Sequence, residues 1–439
     1  MNMNPIFLDK MKKLLRDEFD DFLISLDEPQ QKAIFVNSCK ITPKEFEDIA
    51  DFSLDKIPYE KCGFYVDNSK RGRHPLHHAG AMYLQEPSAM FTVNAIKFNG
   101  DEKVLDMCAA PGGKSIQIAN RIPNGVLVSN EFNKARSEIL FSNIERMGLK
   151  NVIVTNDIPC NIANAYGDFF DVCLVDAPCS GEGMFRRGED VVKEWHDGLN
   201  EMCAKRQLEI LNETDKALKV NGILIYSTCT YAVEENENVV REFMRDKHYE
   251  LQNIFADFPR GINMPEAVRL YPHKVKGEGQ FVAVLRKKDG DINSSASTMK
   301  LSSSKIACDF IKQNIKPEIV KAMCANVVEY KNYCYYLTHK EMIKKHINYV
   351  APGVRLGQVV GARFEPHHNF FTALGANCNI QLNLECGDKL VEKYLRGETF
   401  DVELPSGYGA VLMHGMTLGG CKISQGKFKN LYPKGLRNF

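Results

Sequence analysis

The spacing of apolar residues changes character near residue 100. Before it, LDKMKKLLRDEF and DEPQQKAIF repeat apolar positions at helical spacing, and TPKEFEDIA opens with Thr42 as an N-cap and Pro43 at the first helical position. These stretches predict a small helical N-terminal module. From 103 to 287 the apolar residues come in short runs that close on acidic or small residues: KVLDMCA, GVLVSNE, NVIVTND, FDVCLVDAP and NGILIYSTC. Helical stretches such as KSIQIANRI and NKARSEILFSNIERMG separate them. Buried strands alternating with helices predict an α/β fold with a doubly wound parallel sheet, and GQFVAVLRK supplies its final strand.

Beyond the last strand the pattern fades. KKDGDINSSASTMKLSSSK is rich in Ser, Asp and Lys and reads as a flexible linker. Residues 306–375 carry two helical stretches and then YVAPGVRLGQVVGARFEP, and 376–439 read as short strands broken by Gly. The expected division is therefore 1–75, an N-terminal module; 76–288, the α/β domain; 289–305, a linker; 306–375, an α+β middle domain; and 376–439, a last domain.

Composition narrows the class. The 439 residues hold 56 Lys+Arg against 56 Asp+Glu, and no run of 18 apolar residues occurs, so a cytoplasmic monomer is expected rather than a secreted or membrane protein. The 14 cysteines form no CxxC pair, which argues against a zinc or disulfide framework, and no metal is expected. Zero net charge counts against a nucleic-acid partner only until its distribution is examined.

The first strand runs into Cys108-Ala109-Ala110-Pro111-Gly112-Gly113-Lys114, a small-residue turn at a helix start, where glycines allow close backbone approach and free N–H groups meet a ligand's polar end. GxGxxG is absent, which disfavours a nicotinamide dehydrogenase. Glu131, Asp157 and Asp176 close the next three strands, a row of acids on the edge where open α/β sheets bind ligands. Carboxylates repel phosphates and suit a neutral or cationic nucleoside. S-adenosylmethionine fits.

Two cysteines stand apart by context. Cys179 follows the fourth strand in DAPCSGEG, and Cys229 follows the fifth in STCTY, so neighbouring strands bring both thiols to the cofactor cleft. With CAAPGGKS, DAPCSGEG and STCTYAVEENE in that order, after HPLHHAGAMYLQEPSAM, the chain resembles the Sun/Nop family of RNA cytosine-C5 methyltransferases over at least residues 60–287. The resemblance implies a class I, Rossmann-like methyltransferase fold, S-adenosylmethionine as donor and an RNA cytosine as acceptor. It makes Cys229 the nucleophile and Cys179 an aid to product release, and it assigns Glu131, Asp157 and Asp176 to the cofactor. KNLYPKGLR and RFEPHHNF look like the tail of the bacterial small-subunit rRNA (F-type) branch, with a PUA-like last domain.

The chemistry requires such a thiol. C5 of cytosine takes a methyl group only after a thiolate adds at C6, and charge pushed toward N3 then needs a proton source. Asp176, in a carboxyl raised by an apolar strand end, is the expected source, and Cys179 the expected aid to release, as a base or through water. RNA contacts are expected at Lys70, Arg71, Arg73, His74, His77 and His78, at Arg186 and Arg187, and in the tail at Lys427, Lys429, Lys434 and Arg437, interleaved with Phe428, Tyr432 and Phe439. His367 and His368 read as surface or RNA-facing. The leading expectation is C5-methylation of 16S rRNA; the same chemistry on tRNA, or a non-catalytic ribosome-assembly factor, are the alternatives.

Overall fold

The computed structural model describes residues 3–67, 71–290 and 293–437. The α/β domain is built on β1 (Lys103–Asp106), β2 (Val126–Asn130), β3 (Val152–Thr155), β4 (Phe170–Asp176), β5 (Leu218–Thr228) and β6 (Gln280–Lys287), which lie in the order β6-β5-β4-β1-β2-β3. The first five pair in parallel, and β6 runs antiparallel to β5. Every residue of β2 and β3 is buried, as strands covered on both faces must be. Full burial of side chains such as Leu105 and Val128 contributes about 1.5–3 kcal/mol each. The strand order reverses between β1 and β4, which opens a crevice at their carboxyl ends.

The N-terminal region is only partly helical. Pro5–Leu15, Phe19–Asp27 and Pro43–Ile49 are helices, the last with Thr42 and Glu45 forming a reciprocal capping box. DEPQQKAIF does not continue the helical pattern: Lys32–Val36 is a strand, buried from Ala33 onward and paired to Gly63–Val66 and Met82–Leu84. Tertiary pairing overrides the local period there. Because Met82–Leu84 completes this first sheet, the N-terminal unit runs past the boundary expected at 75.

Within the expected linker, residues 296–301 are tied down rather than loose. Ala296 N–H donates to Ala165 O, Met299 N–H donates to Ile343 O, and Met299 and Leu301 pack on the main core. The middle region does not stand apart either: Tyr349–Ala351 pairs antiparallel with β3 and extends the central sheet. The last sheet comprises Gln381–Leu384, Gly407–Met413, Met416–Ser424 and Lys427–Asn430. Among the described residues, no helix is long and apolar enough to cross a membrane.

Candidate active site

The turn after β1 leads into α1 (Gly113–Arg121) through Gly112, whose φ of 115° belongs to the region that glycine tolerates and other residues rarely do. Its carbonyls are held from α2 (Lys134–Met147): Arg136 donates to Ala110 O at 2.7 Å and Asn143 donates to Pro111 O at 2.9 Å. Asn130, absent from the sequence expectations, ties three strand ends together. Its amide donates to Met107 O and Asp157 O, and its oxygen accepts from Thr155 Oγ1 and Asp157 N.

The strand-end acids differ in what surrounds them. Glu131 is buried, accepts from Asn133 N at 2.9 Å and lies 3.5 Å from Arg136. Asp157 accepts from Ile158 N, Asn161 Nδ2 and, at 3.0 Å, from Asn348 N of the middle region. Asp176 sits in a polar corner rather than an apolar one: Lys114 Nζ is 2.7 Å away, Ser227 Oγ donates at 2.7 Å and Gln280 Nε2 at 3.2 Å. The Asp176 carboxyl thus accepts from three donors, the Lys114 ammonium among them. The desolvated strand-end carboxyl is Asp106, which the sequence expectations omit. Burial pushes its pKa up to about 7, Ser115 donates to one oxygen at 2.7 Å, and the other oxygen is buried without a partner. An orphaned carboxylate oxygen, the N–H groups of the glycine turn and the acids of β2 and β3 make a donor and acceptor set that fits the cationic, hydroxyl-rich S-adenosylmethionine.

The two thiols meet. Cys179 Sγ and Cys229 Sγ are 3.3 Å apart, both half-buried and unbridged. Gly183 lets the two loops close on each other: its N–H donates to Cys229 O at 2.8 Å, and a Cβ there would lie 2.6 Å from that oxygen. The hydrogen bond to Cys229, reinforced by burial, raises the Cys179 pKa well above the ordinary thiol range. Cys179 therefore favours its thiol form, in contact with the Cys229 sulfur.

Behind the thiols lies a polar network that sequence reasoning missed, although its two acids stand inside the quoted motifs. Glu182 is 2% exposed and accepts from Trp195 Nε1, Asn200 Nδ2, Thr230 Oγ1 and Tyr231 N. Glu235 accepts from Ser180 N, Asn200 Nδ2 and Gln207 Nε2, so Asn200 clamps the DAPCSGEG loop to the STCTYAVEENE loop. The N-terminal helices pack on the same loops through Phe7 against Phe185 and Phe22 against Tyr231.

The expected RNA contacts separate into exposed and buried groups. Arg73, Arg187, Lys427, Lys429 and Lys434 are exposed. Arg71 pairs with Asp67 at 2.7 Å and lies over the Phe52 ring, and Arg437 leans on Tyr432 O. Arg186 is turned into the protein: its side chain is buried, pairs with Glu278 at 2.9 Å and donates to Ser25 O and Gly277 O, away from the surface expected to meet RNA. Phe428 and Tyr432 are core residues, Phe428 stacked on Phe400 at 4.2 Å, so they offer no stacking surface. His74 pairs with Asp51, and His78 meets the Tyr432 hydroxyl at 2.7 Å. Desolvation drops the His77 pKa to about 2, and it drops His367 and His368 to about 4 and about 3. His368 is buried against Tyr432 rather than on the surface as expected, whereas His367 is partly exposed and lies 3.8 Å from Glu145. Lys70 and Phe439 lie outside the described residues. Among the described residues no cluster suited to a metal occurs.

Three family models match the chain in order: the N-terminal domain of 16S rRNA methyltransferase RsmF over 3–87, 16S rRNA methyltransferase RsmB/F over 93–286, and the methyltransferase RsmF PUA domain over 381–438. The ribosomal RNA small subunit methyltransferase F of Erwinia tasmaniensis is 34% identical over 301 residues, covering 64% of this chain and 63% of the relative. That of Vibrio cholerae is 36% identical over 299 residues with the same coverage. The matched stretch thus spans less than two thirds of these relatives' length. A crystal structure of a methyltransferase homologue from Pyrococcus horikoshii is 28% identical, with a TM-score of 0.55, and is covered in full by 65% of this chain. NSun6 from Pyrococcus horikoshii with SFG, 23% identical and with a TM-score of 0.57 over 64% of this chain and 98% of that one, shares the fold.

Proposed function

The chain belongs to the 16S rRNA methyltransferase RsmB/F family, and from that premise we propose that it methylates C5 of a cytosine in 16S rRNA through a covalent adduct at Cys229. The observation that carries the reading is the 3.3 Å contact between two thiols on adjacent strand ends, beside a cofactor turn. S-adenosylmethionine supplies an activated methyl group when bound.

The chain's own groups do the rest. Glu131 accepts hydrogen bonds from ribose hydroxyls, with Asp157 further along the same edge. Cys108, Ala109, Ala110, Pro111, Gly112 and Gly113 present backbone to the ligand. Cys229 gives its proton to solvent and attacks as the thiolate, while the neighbouring Cys179 stays protonated. The C6–S bond forms while Lys114, anchored by Asp176, donates to the negative end at N3. After the methyl group reaches C5, the C5 proton passes to water and the C6–S bond breaks. Cys179 then donates to the departing Cys229 sulfur, which favours the donor role over a base role. Exposed Arg73, Arg187, Lys427, Lys429 and Lys434 neutralise RNA phosphates at the rim. The thiols favour this reading over a non-catalytic assembly factor, which has no use for an aligned pair.

Labelled S-adenosylmethionine offered with naked 16S rRNA, 30S particles and tRNA tests the proposal. Label should enter 5-methylcytosine of the small-subunit RNA, and Cys229→Ala should abolish it while cofactor binding persists. Full activity of Cys229→Ala removes the covalent mechanism, and label confined to tRNA removes the substrate.

A further inference from the structure

Outside the thiol cleft, four buried polar atoms without partners line a single cavity. It holds about 290 Å³ between the N-terminal unit and the α/β domain, and its walls include Gln30, Arg71, Gln85, Glu86, Arg187 and Glu278. Gln30 Nε2, Arg71 Nε, Gln85 Oε1 and Glu278 Oε1 are buried and unsatisfied. Roughly 90% or more of buried polar groups find partners, so four orphans around one cavity point to a ligand.

Three of these side chains are held by their other ends. Gln85 Nε2 donates to Gln117 Oε1 at 2.7 Å, Glu278 Oε2 accepts from Arg186 at 2.9 Å, and Arg71 Nη2 pairs with Asp67 at 2.7 Å. Glu86 is spent on Ser88 N, Ala89 N and Glu278 N. The open hydrogen-bonding atoms are therefore two acceptors, Gln85 Oε1 and Glu278 Oε1, and the donors of Gln30 and Arg71.

The cavity adjoins both halves of the reaction site. The Gln85 carboxamide packs on Gly113 of the cofactor turn, where a Cβ would lie 3.1 Å away. The Glu278 carbonyl accepts from the Tyr231 hydroxyl and lies close to Gly183, which touches Cys229 O. Arg187 adds an exposed positive charge at the rim.

We propose that this cavity takes one nucleobase of the RNA flanking the target cytosine and that guanine is the base it reads. The inference rests on the RNA reading above. Guanine presents adjacent N1–H and N2–H donors for the two acceptors and O6 for the Gln30 amide, whereas the other bases offer fewer adjacent donors on that edge. Prying one base from its stack to reach a thiol leaves its neighbour needing a site of its own.

The test begins by locating the methylated cytosine in 16S rRNA that lacks the modification, naked and in 30S particles. Transcripts of that site, each changed at one nucleotide within three positions of the cytosine, are then methylated by wild type, Gln30→Leu and Glu278→Gln. Wild type should prefer guanine at one flanking position by about 10-fold in kcat/KM, the scale of one well-read base. Gln30→Leu should shrink that preference to about 2-fold while kcat on the other transcripts is unchanged. A merely structural role would lower activity on all transcripts alike. No preference in wild type, or an intact preference in Gln30→Leu, marks the cavity as a hydrated cleft only and overturns the proposal. Absence of methylation on any 16S rRNA substrate overturns the proposed function and this inference with it. If Glu278→Gln fails to fold through loss of its pairing with Arg186, the Gln30→Leu comparison decides alone.

Discussion

Cys179 and Cys229 stand 50 residues apart in the chain, yet their sulfurs approach to 3.3 Å because β4 and β5 are paired neighbours and Gly183 permits the loops beyond them to touch. The Cys179 thiol, its pKa raised by this contact and by burial, touches the sulfur that must leave. Cys179→Ala should therefore form the C6 adduct and resolve it slowly. A protein–RNA species that survives denaturing electrophoresis and depends on S-adenosylmethionine is the expected outcome, and ordinary turnover without such a species excludes the release role.

Glu182 makes four hydrogen bonds from a buried carboxylate, two of them to the loop that carries Cys229. Glu182→Ala leaves those donors unmet. Each buried unsatisfied donor costs about 1–3 kcal/mol, so the variant should lose stability on the order of several kcal/mol. Methylation should fall further than stability alone explains, since the two thiols lose register. Chemical denaturation together with rates measured below the unfolding transition checks this; a variant with wild-type midpoint and rate would remove Glu182 from the clamp.

Asp106 sets a pH dependence of known sign. Its folded pKa, about 7, lies above the ordinary 3.8, so the folded state binds the proton more tightly. The stability contributed is full below about pH 4 and is lost as pH rises through about 7, by on the order of 4 kcal/mol at most. Asp106→Asn keeps an oxygen for Ser115 and removes the titration. Unfolding free energies at pH 5 and pH 8 should show wild type losing stability relative to Asp106→Asn; parallel losses would refute the assignment.

Much of the site was legible in the sequence because its determinants are local. A strand that ends in Asp or Glu, a Pro-Gly-Gly turn and a Thr-Pro helix start each declare themselves within a few residues, and the structure has β1 to β6 and the Thr42 cap where the pattern predicts them. What escaped depends on distant partners. Arg186 reads as a surface cation until Glu278, 92 residues later, is seen to bury it. Phe428 and Tyr432 read as stacking groups until Phe400 and His78 enclose them. Lys32–Val36 becomes a strand only because Gly63–Val66 and Met82–Leu84 flank it. Asp106 escaped notice because desolvation is a property of everything packed around it.

The antiparallel strand Tyr349–Ala351 finishes the central sheet at β3, where it shields a row of backbone N–H and C=O groups that would otherwise face water. A chain ending near residue 290 would leave that hydrophobic edge, Val152–Thr155, bare and ready to recruit the same edge of a second molecule. The C-terminal half thus acts as a built-in guard against self-association, and aggregation of the isolated α/β domain would reflect its missing neighbour rather than a faulty core.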